Sequence, residues 1–179
     1  RYDGGFQGFG QALTTAIDMA ANAYQRDGKL SGIATGLDDL DRMMGGLQKS
    51  DLIVLAGRPG MGKTALATNI AFNVANAWTG NVRPDGHTET TNGGVVGFFS
   101  LEMSAEQLAT RIIAEQTDIP SNQIRRGAIN ENQFEKIKDY SIRLQNLKLF
   151  VDETGGLSIA QLAARARRLK RQRGLDLVV

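Results

Sequence analysis

Cysteine is absent from the 179 residues, proline occurs three times, histidine and tryptophan once each, and aromatic residues make up only 6%. Without cysteine there is no disulfide framework, no thiolate metal site and no cysteine nucleophile. A cytosolic compartment fits that composition. Long apolar runs are missing too: the longest, Leu52–Ala56 and Val95–Phe99, are about five residues, where a membrane helix needs about 20. No signal-peptide pattern is visible. Charge of either sign is nearly balanced, with 21 basic against 19 acidic residues and a net charge of +2, too little to argue for nucleic acid by itself.

What remains is ordinary for a globular chain, 41% hydrophobic and 22% charged, which excludes collagen-like, low-complexity or largely disordered sequences. The length suits one domain. The chain starts on Arg1 rather than Met, and Leu175-Asp176-Leu177-Val178-Val179 reads as a core strand cut in mid-course. The expectation is a piece of a longer protein.

Residues 1–10, rich in glycine and phenylalanine, read as a flexible lead-in. From Gln11 to about Arg26, Leu13, Ile17, Ala20 and Tyr24 form one apolar helical stripe, which Gly28 ends. That helix either packs on its own domain or docks on a neighbouring subunit. A short helix is expected at Leu37–Met44, closed by Gly45-Gly46. Leu52–Ala56 reads as a buried strand, Gly57–Gly62 as a turn, and Lys63 to about Ala77 as a helix with Leu66, Ile70, Val74 and Ala77 inside. The polar, glycine-rich residues 79–94 read as a loop, with His87 solvated. Further strands are expected at Val95–Phe99, Leu147–Val151 and Leu175–Val179. Helices are expected from Ser104, the N-cap, to about Gln116, at Glu131–Asn146 and from Ser158 to about Arg173. Strands alternating with helices predict an α/β fold with a mainly parallel sheet flanked by helices.

The strongest chemical signal is Gly57-Arg58-Pro59-Gly60-Met61-Gly62-Lys63-Thr64, which matches the phosphate-binding loop pattern G-x-x-x-x-G-K-[ST]. Its glycines let backbone N–H groups turn towards a phosphate, and it opens a helix whose N-terminus favours an anion. Lys63 offers a charge for the β- and γ-phosphates, and the Thr64 hydroxyl is the expected Mg²⁺ ligand. The second signal is Glu102, just past the strand at Val95–Phe99. In an open α/β sheet, ligands sit outside the carboxyl ends of strands. A carboxylate there can orient a water that attacks the γ-phosphate, or it is only an acid favoured at a helix start. Asp152 and Glu153 follow the next strand as possible helpers, whereas Asp176, inside its strand, is a poor metal ligand. The basic run Arg165, Arg167, Arg168, Lys170, Arg171 and Arg173 points nearly all round its helix, with Ile159, Leu162, Ala166 and Leu169 as the buried face. It reads as a solvated helix with cations near its C-terminus, phosphate-backbone binding being the alternative. Arg125-Arg126-Gly127 is a smaller basic spot.

Together Ser31–Leu40 (SGIATGLDDL), Gly45-Gly46-Leu47, Gly57–Thr64, Phe98–Ser104 (FFSLEMS), Gln107–Arg111 (QLATR) and Ala164–Lys170 (ARARRLK) resemble the C-terminal motor domain of replicative DNA helicases of the DnaB family. The resemblance runs from about residue 11 to the end. Other RecA-like ATPases of recombination and repair share the loop and the TG-x-x-x-LD lead-in but differ at the SLEM segment.

The resemblance implies a RecA-like P-loop NTPase core, ATP and Mg²⁺, and a homohexamer around single-stranded DNA at the replication fork. Primase and a helicase loader are the implied further partners. It places residues 1–30 as lead-in and linker helix and 31–179 as the N-terminal portion of the motor domain. Nucleotide contacts would come from Gly57, Arg58, Pro59, Gly60, Met61, Gly62, Lys63, Thr64 and Ala65, the metal contact from Thr64, and catalysis from Lys63 and Glu102. A second metal-binding Asp, the DNA-contacting loops and an arginine finger would fall after Val179, so this stretch alone is expected to have little or no helicase activity. The implied location is the bacterial cytoplasm, with the nucleoid. A recombination-type ATPase, or a nucleotide-dependent assembly switch without unwinding, are the competing functions.

Overall fold

The computed structural model describes residues 5–25, 29–85 and 88–179. Its centre is a parallel three-stranded sheet in the order β4-β3-β5, with β3 at Val96–Phe99, β4 at Leu149–Asp152 and β5 at Leu177–Val178. Val96 stands opposite Leu149 on one side and Leu177 on the other. The ladder continues past β5, where the Phe99 N–H donates to the Val179 carbonyl at 2.8 Å and the Val179 N–H to Gly97 at 2.9 Å.

Side chains alternate across a strand, and β3 uses both faces. Val96 and Phe98 join one core with Ala71, Phe72, Val74 and Ala75 of α3 (Lys63–Asn76) and Leu108 and Ile112 of α4 (Ala105–Thr117). Gly97 faces the other way, under α7 (Ile159–Arg173): a Cβ there would lie 3.1 Å from Leu169 and 3.2 Å from Leu175. A side chain there would require Leu169 and Leu175 to give by a few tenths of an ångström. Helices therefore cover both faces, as the alternating pattern predicts. Three of them begin with reciprocal capping boxes, at Ser104 for α4, Asn130 for α6 (Glu131–Leu144) and Ser158 for α7.

Residues 35–41, ahead of the phosphate loop, are locked by one buried acid. Asp41, on α2 (Asp38–Met44), accepts the N–H and the hydroxyl of Thr35 at 2.8 and 2.7 Å through one oxygen. Asn73 of α3 then donates to the Thr35 carbonyl at 3.0 Å. This gives the TG-x-x-x-LD segment a structural role: it ties residues 35–41 to the helix that the phosphate loop opens.

Several expectations need correction. Leu52–Ala56 is not a buried strand; Leu52 is 91% and Val54 79% exposed. A strand is made by a neighbour's ladder, and among the described residues no strand pairs with this run. Residues 79–94 are not a loop but mainly a hairpin, β1 (Thr79–Val82) antiparallel to β2 (Thr88–Asn92). Its strands are polar and threonine-rich, so no apolar alternation announced them. His87 lies outside the described residues, as do Arg26 and Gly28. The Trp78 ring nitrogen donates to the Thr90 hydroxyl at 3.0 Å, and that hydroxyl donates to Asp176 at 2.9 Å. Asp176 also accepts the Val95 N–H at 2.7 Å, so it is a structural acceptor just ahead of β5. The buried face of α3 is Thr68, Ala71, Phe72, Val74 and Ala75, because the helix packs against both the sheet and residues 35–41; Ala77 is exposed at its end. On α7, Ile159 is exposed in the first turn, beyond the reach of the sheet. A short helix, α5 (Ser121–Arg126), was too brief to show a period; its last-turn arginines are the basic spot.

The remaining helix, α1 (Phe9–Gln25), starts inside the expected lead-in and buries none of its residues. Its stripe of Leu13, Ile17 and Tyr24 is exposed, so it does not pack on its own domain.

Replacing Asp41 with Ala strands two donors of Thr35, itself fully buried. At about 1–3 kcal/mol per unsatisfied group, the variant should lose about 2–4 kcal/mol in urea unfolding, and Asp41→Asn, which keeps an acceptor oxygen, clearly less.

Candidate functional site

The phosphate loop takes its shape from residue types at fixed places. The Met61 N–H donates to the Arg58 carbonyl at 3.3 Å, closing a turn with Pro59 second and Gly60, φ +77°, third. Proline presets the second position and glycine tolerates the positive φ of the third. Gly62 is left-handed as well, with φ 88° and ψ 17°, and stands as the N-cap of α3 without a side-chain cap. The first bond of the helix runs from the Leu66 N–H to the Gly62 carbonyl at 2.9 Å. The N–H groups of Lys63, Thr64 and Ala65 therefore precede the helical ladder, at the positive end of the helix dipole.

Residues 57–62 are exposed, while Lys63, Thr64 and Ala65 are half-buried. Lys63 bends back over the loop, and its ammonium donates to the Gly57 carbonyl at 2.8 Å. A positive charge, three N–H groups and the Thr64 hydroxyl thus gather at one helix end, a concentration of donors suited to a polyphosphate.

The direction of α3 fixes where this end lies. The Gly94 N–H, just before β3, donates to the Val74 carbonyl in the last turn of α3 at 3.0 Å. Packed on the sheet, α3 runs back against β3, so its N-terminus and the loop point to the carboxyl end of the strands. Glu102 lies at that same end, three residues past β3, and is exposed. Among the described residues its carboxylate makes no hydrogen bond or ion pair with the loop.

The acids after β4 have structural partners. Arg165 of α7 donates to both Asp152 carboxylate oxygens, at 3.0 and 2.7 Å, and to the Thr154 hydroxyl at 2.7 Å. These bonds, the Arg165 guanidinium first and the Thr154 N–H next, hold the Asp152 carboxyl below its ordinary value of 3.8, against a small opposing effect of burial. Glu153 accepts the Ala105 N–H at the start of α4 at 2.6 Å. Arg165 is thus engaged with β4, while Arg167, Arg168, Lys170 and Arg171 are exposed on α7. Ser100, singled out in the sequence only as part of the Phe98–Ser104 segment, is buried and bonded within the turn that holds Glu102.

Comparison with known proteins gives a consistent result. The family described as the DnaB-like helicase C-terminal domain matches residues 32–179. The replicative DNA helicase DnaB of Rickettsia conorii is 39% identical over 173 residues, 97% of this chain and 34% of the relative. That of Geobacillus stearothermophilus is 35% identical over 179 residues, 100% of this chain and 36% of the relative. The chain therefore spans about a third of the length of these curated relatives. Among solved structures, one described as an ATPase domain superposes with a TM-score of 0.77 at 25% identity, over 97% of this chain and 56% of that one. A DnaB-like replicative helicase, described with its interactions with primase, superposes with a TM-score of 0.78 at 25% identity, over 99% of this chain and 39% of that one.

The Asp152–Arg165 tie sets a pH dependence. A depressed folded pKa stabilises the fold above the unfolded value, and the benefit is lost as pH falls through the folded one. The urea midpoint of the native chain should exceed that of Asp152→Asn near neutrality, and the gap should close as pH falls from about 5 towards 2. A gap independent of pH would show that the ion pair contributes nothing.

Proposed function

The chain belongs to the DnaB-like helicase C-terminal domain family, and from its RecA-like fold we propose that it is the front part of an ATP-driven motor that moves on single-stranded DNA and separates strands at the replication fork. The observation that carries the nucleotide half of this reading is the left-handed Gly62 opening α3, with Lys63 folded over Gly57.

ATP enters with its β- and γ-phosphates against the N–H groups of the loop from Gly57 through Ala65, and Lys63 supplies the balancing charge. The Thr64 hydroxyl, together with phosphate and water oxygens, is a donor set of the kind Mg²⁺ takes. Among the described residues no cluster of three histidines or acids competes with it. Bound there, Mg²⁺ would offset the charge that develops on the phosphate oxygens. Glu102 acts as the base that orients the attacking water.

Residues 1–30 form the lead-in and linker, and 31–179 the N-terminal portion of the motor domain. The apolar stripe of α1, uncovered on its own chain, docks on the next copy in a homohexameric ring. Primase and a loader bind the assembled ring, in the bacterial cytoplasm at the nucleoid. In the described residues no helix is long and apolar enough to cross a membrane.

In the longer protein that contains this stretch, Lys63→Ala should abolish nucleotide binding measured by calorimetry; retained affinity would remove the phosphate-loop assignment. Glu102→Gln should keep binding and lower turnover by about 10²-fold or more. DNA-stimulated hydrolysis separates a motor from an assembly switch, and unwinding of a forked duplex separates a helicase from a recombination ATPase. Deleting residues 1–26 should shift sedimentation from hexamer towards smaller species, and an unchanged hexamer would contradict the docking of α1.

A further inference from the structure

Glu102 stands in the middle of the connection 100–104 between β3 and α4. The connection has little apolar anchorage at its start, where Leu101 is 72% exposed; only Met103 packs against the core. Hydrogen bonds hold both of its ends, and both holds come from the residues that end and follow β4. At the front, the Ser100 N–H donates to the Asp152 carbonyl at 2.8 Å. The Ser100 hydroxyl then closes the turn, donating to the Met103 carbonyl at 2.6 Å and accepting the Met103 N–H at 3.1 Å. At the back, Glu153 accepts the Ala105 N–H at 2.6 Å across 48 residues of chain.

Glu153 is itself fixed on either side. Arg165 grips Asp152 before it and Thr154 after it, and the Thr154 N–H donates to the Asp152 carboxylate at 3.0 Å. The anion also sits at the positive end of α4, where a charged acceptor binds a backbone N–H more strongly than a neutral one does.

We infer that Glu153 is a positioning residue for hydrolysis: through the Ala105 N–H it sets where the turn of Glu102 lies relative to the phosphate loop. The inference rests on the reading of Glu102 as the base. A general base works only within hydrogen-bond reach of its water, and a displacement of about 1 Å can cost orders of magnitude in rate. If Glu153 were merely a cap for α4, its loss would lower stability and leave turnover alone.

Steady-state ATP hydrolysis by the longer protein containing this chain distinguishes the two. Glu153→Ala should lower kcat about tenfold or more, with KM for ATP little changed. Glu153→Gln, which keeps an acceptor oxygen, should restore most of the rate. Asn130→Ala, which removes a comparable cap from α6, should lower Tm without changing kcat. If Glu153→Ala does not fold, Glu153→Asp, one methylene shorter, takes its place with the same expected fall. A normal kcat in the shortened or truncated variant overturns the inference. So does a Gln variant as slow as Ala, or the same loss in Asn130→Ala. Glu102→Gln in the same assay keeps the two readings apart. If it abolishes turnover while Glu153→Ala does not lower kcat, only the positioning role fails; if it turns over normally, the base assignment fails and the positioning role with it.

Discussion

The hydrogen-bond ladder on both edges of β3 is the constraint from which the remaining geometry follows. β3 is the only described strand with a parallel partner on each side. Its backbone groups are therefore satisfied in place, and its four residues can be buried almost completely. Val96 and Phe98 then set where α3 and α4 lie, and Gly97 sets how closely α7 approaches. The functional end inherits these positions. The loop lies at the far end of a helix whose last turn is bonded beside the start of β3, and Glu102 is the continuation of β3 itself. A shift of β3 would move both halves of the proposed site together.

Polarity at that end is arranged in two layers. The loop concentrates donors: Lys63, the early N–H groups of α3 and the Thr64 hydroxyl. Glu102, exposed at the same end, adds a carboxylate acceptor, which in the proposed function orients a water. Behind them the acids Asp152 and Glu153 are occupied by Arg165, Thr154 and Ala105. Their charge is directed into bonds with the protein, and the two residues bond to both ends of the connection that carries Glu102.

Much of this was legible from local patterns. The shape of residues 57–63 was readable because turn chemistry is local: proline then glycine in a turn, glycine ahead of a helix, and lysine at its first position. Ser104 and Ser158 announced helix starts for the same reason. The Leu52–Ala56 run had the composition of a strand, but composition does not supply a pairing partner. The hairpin had partners but no apolar alternation, so it passed for a loop. The contacts around the connection that carries Glu102 were the least legible. Glu153 meets Ala105 and Arg165 meets Asp152 only after the chain has folded, and no spacing within one element encodes such a meeting.

Asp176 has a consequence for the order in which the chain becomes structured. Its carboxylate takes the Thr90 hydroxyl across 86 residues and the Val95 N–H across 81, and β5 follows it at once. As the chain leaves the ribosome, the hairpin and β3 are made long before the groups that complete them. Contacts so distant in sequence close slowly, because loop entropy is lost before they return any stabilisation. Until Asp176 and β5 emerge, one edge of β3 lacks its partner and the hairpin, tied to the end of α3 through Asn92 and Ala77, lacks its Thr90 tie to Asp176; an unpaired edge of that kind is open to edge-to-edge association.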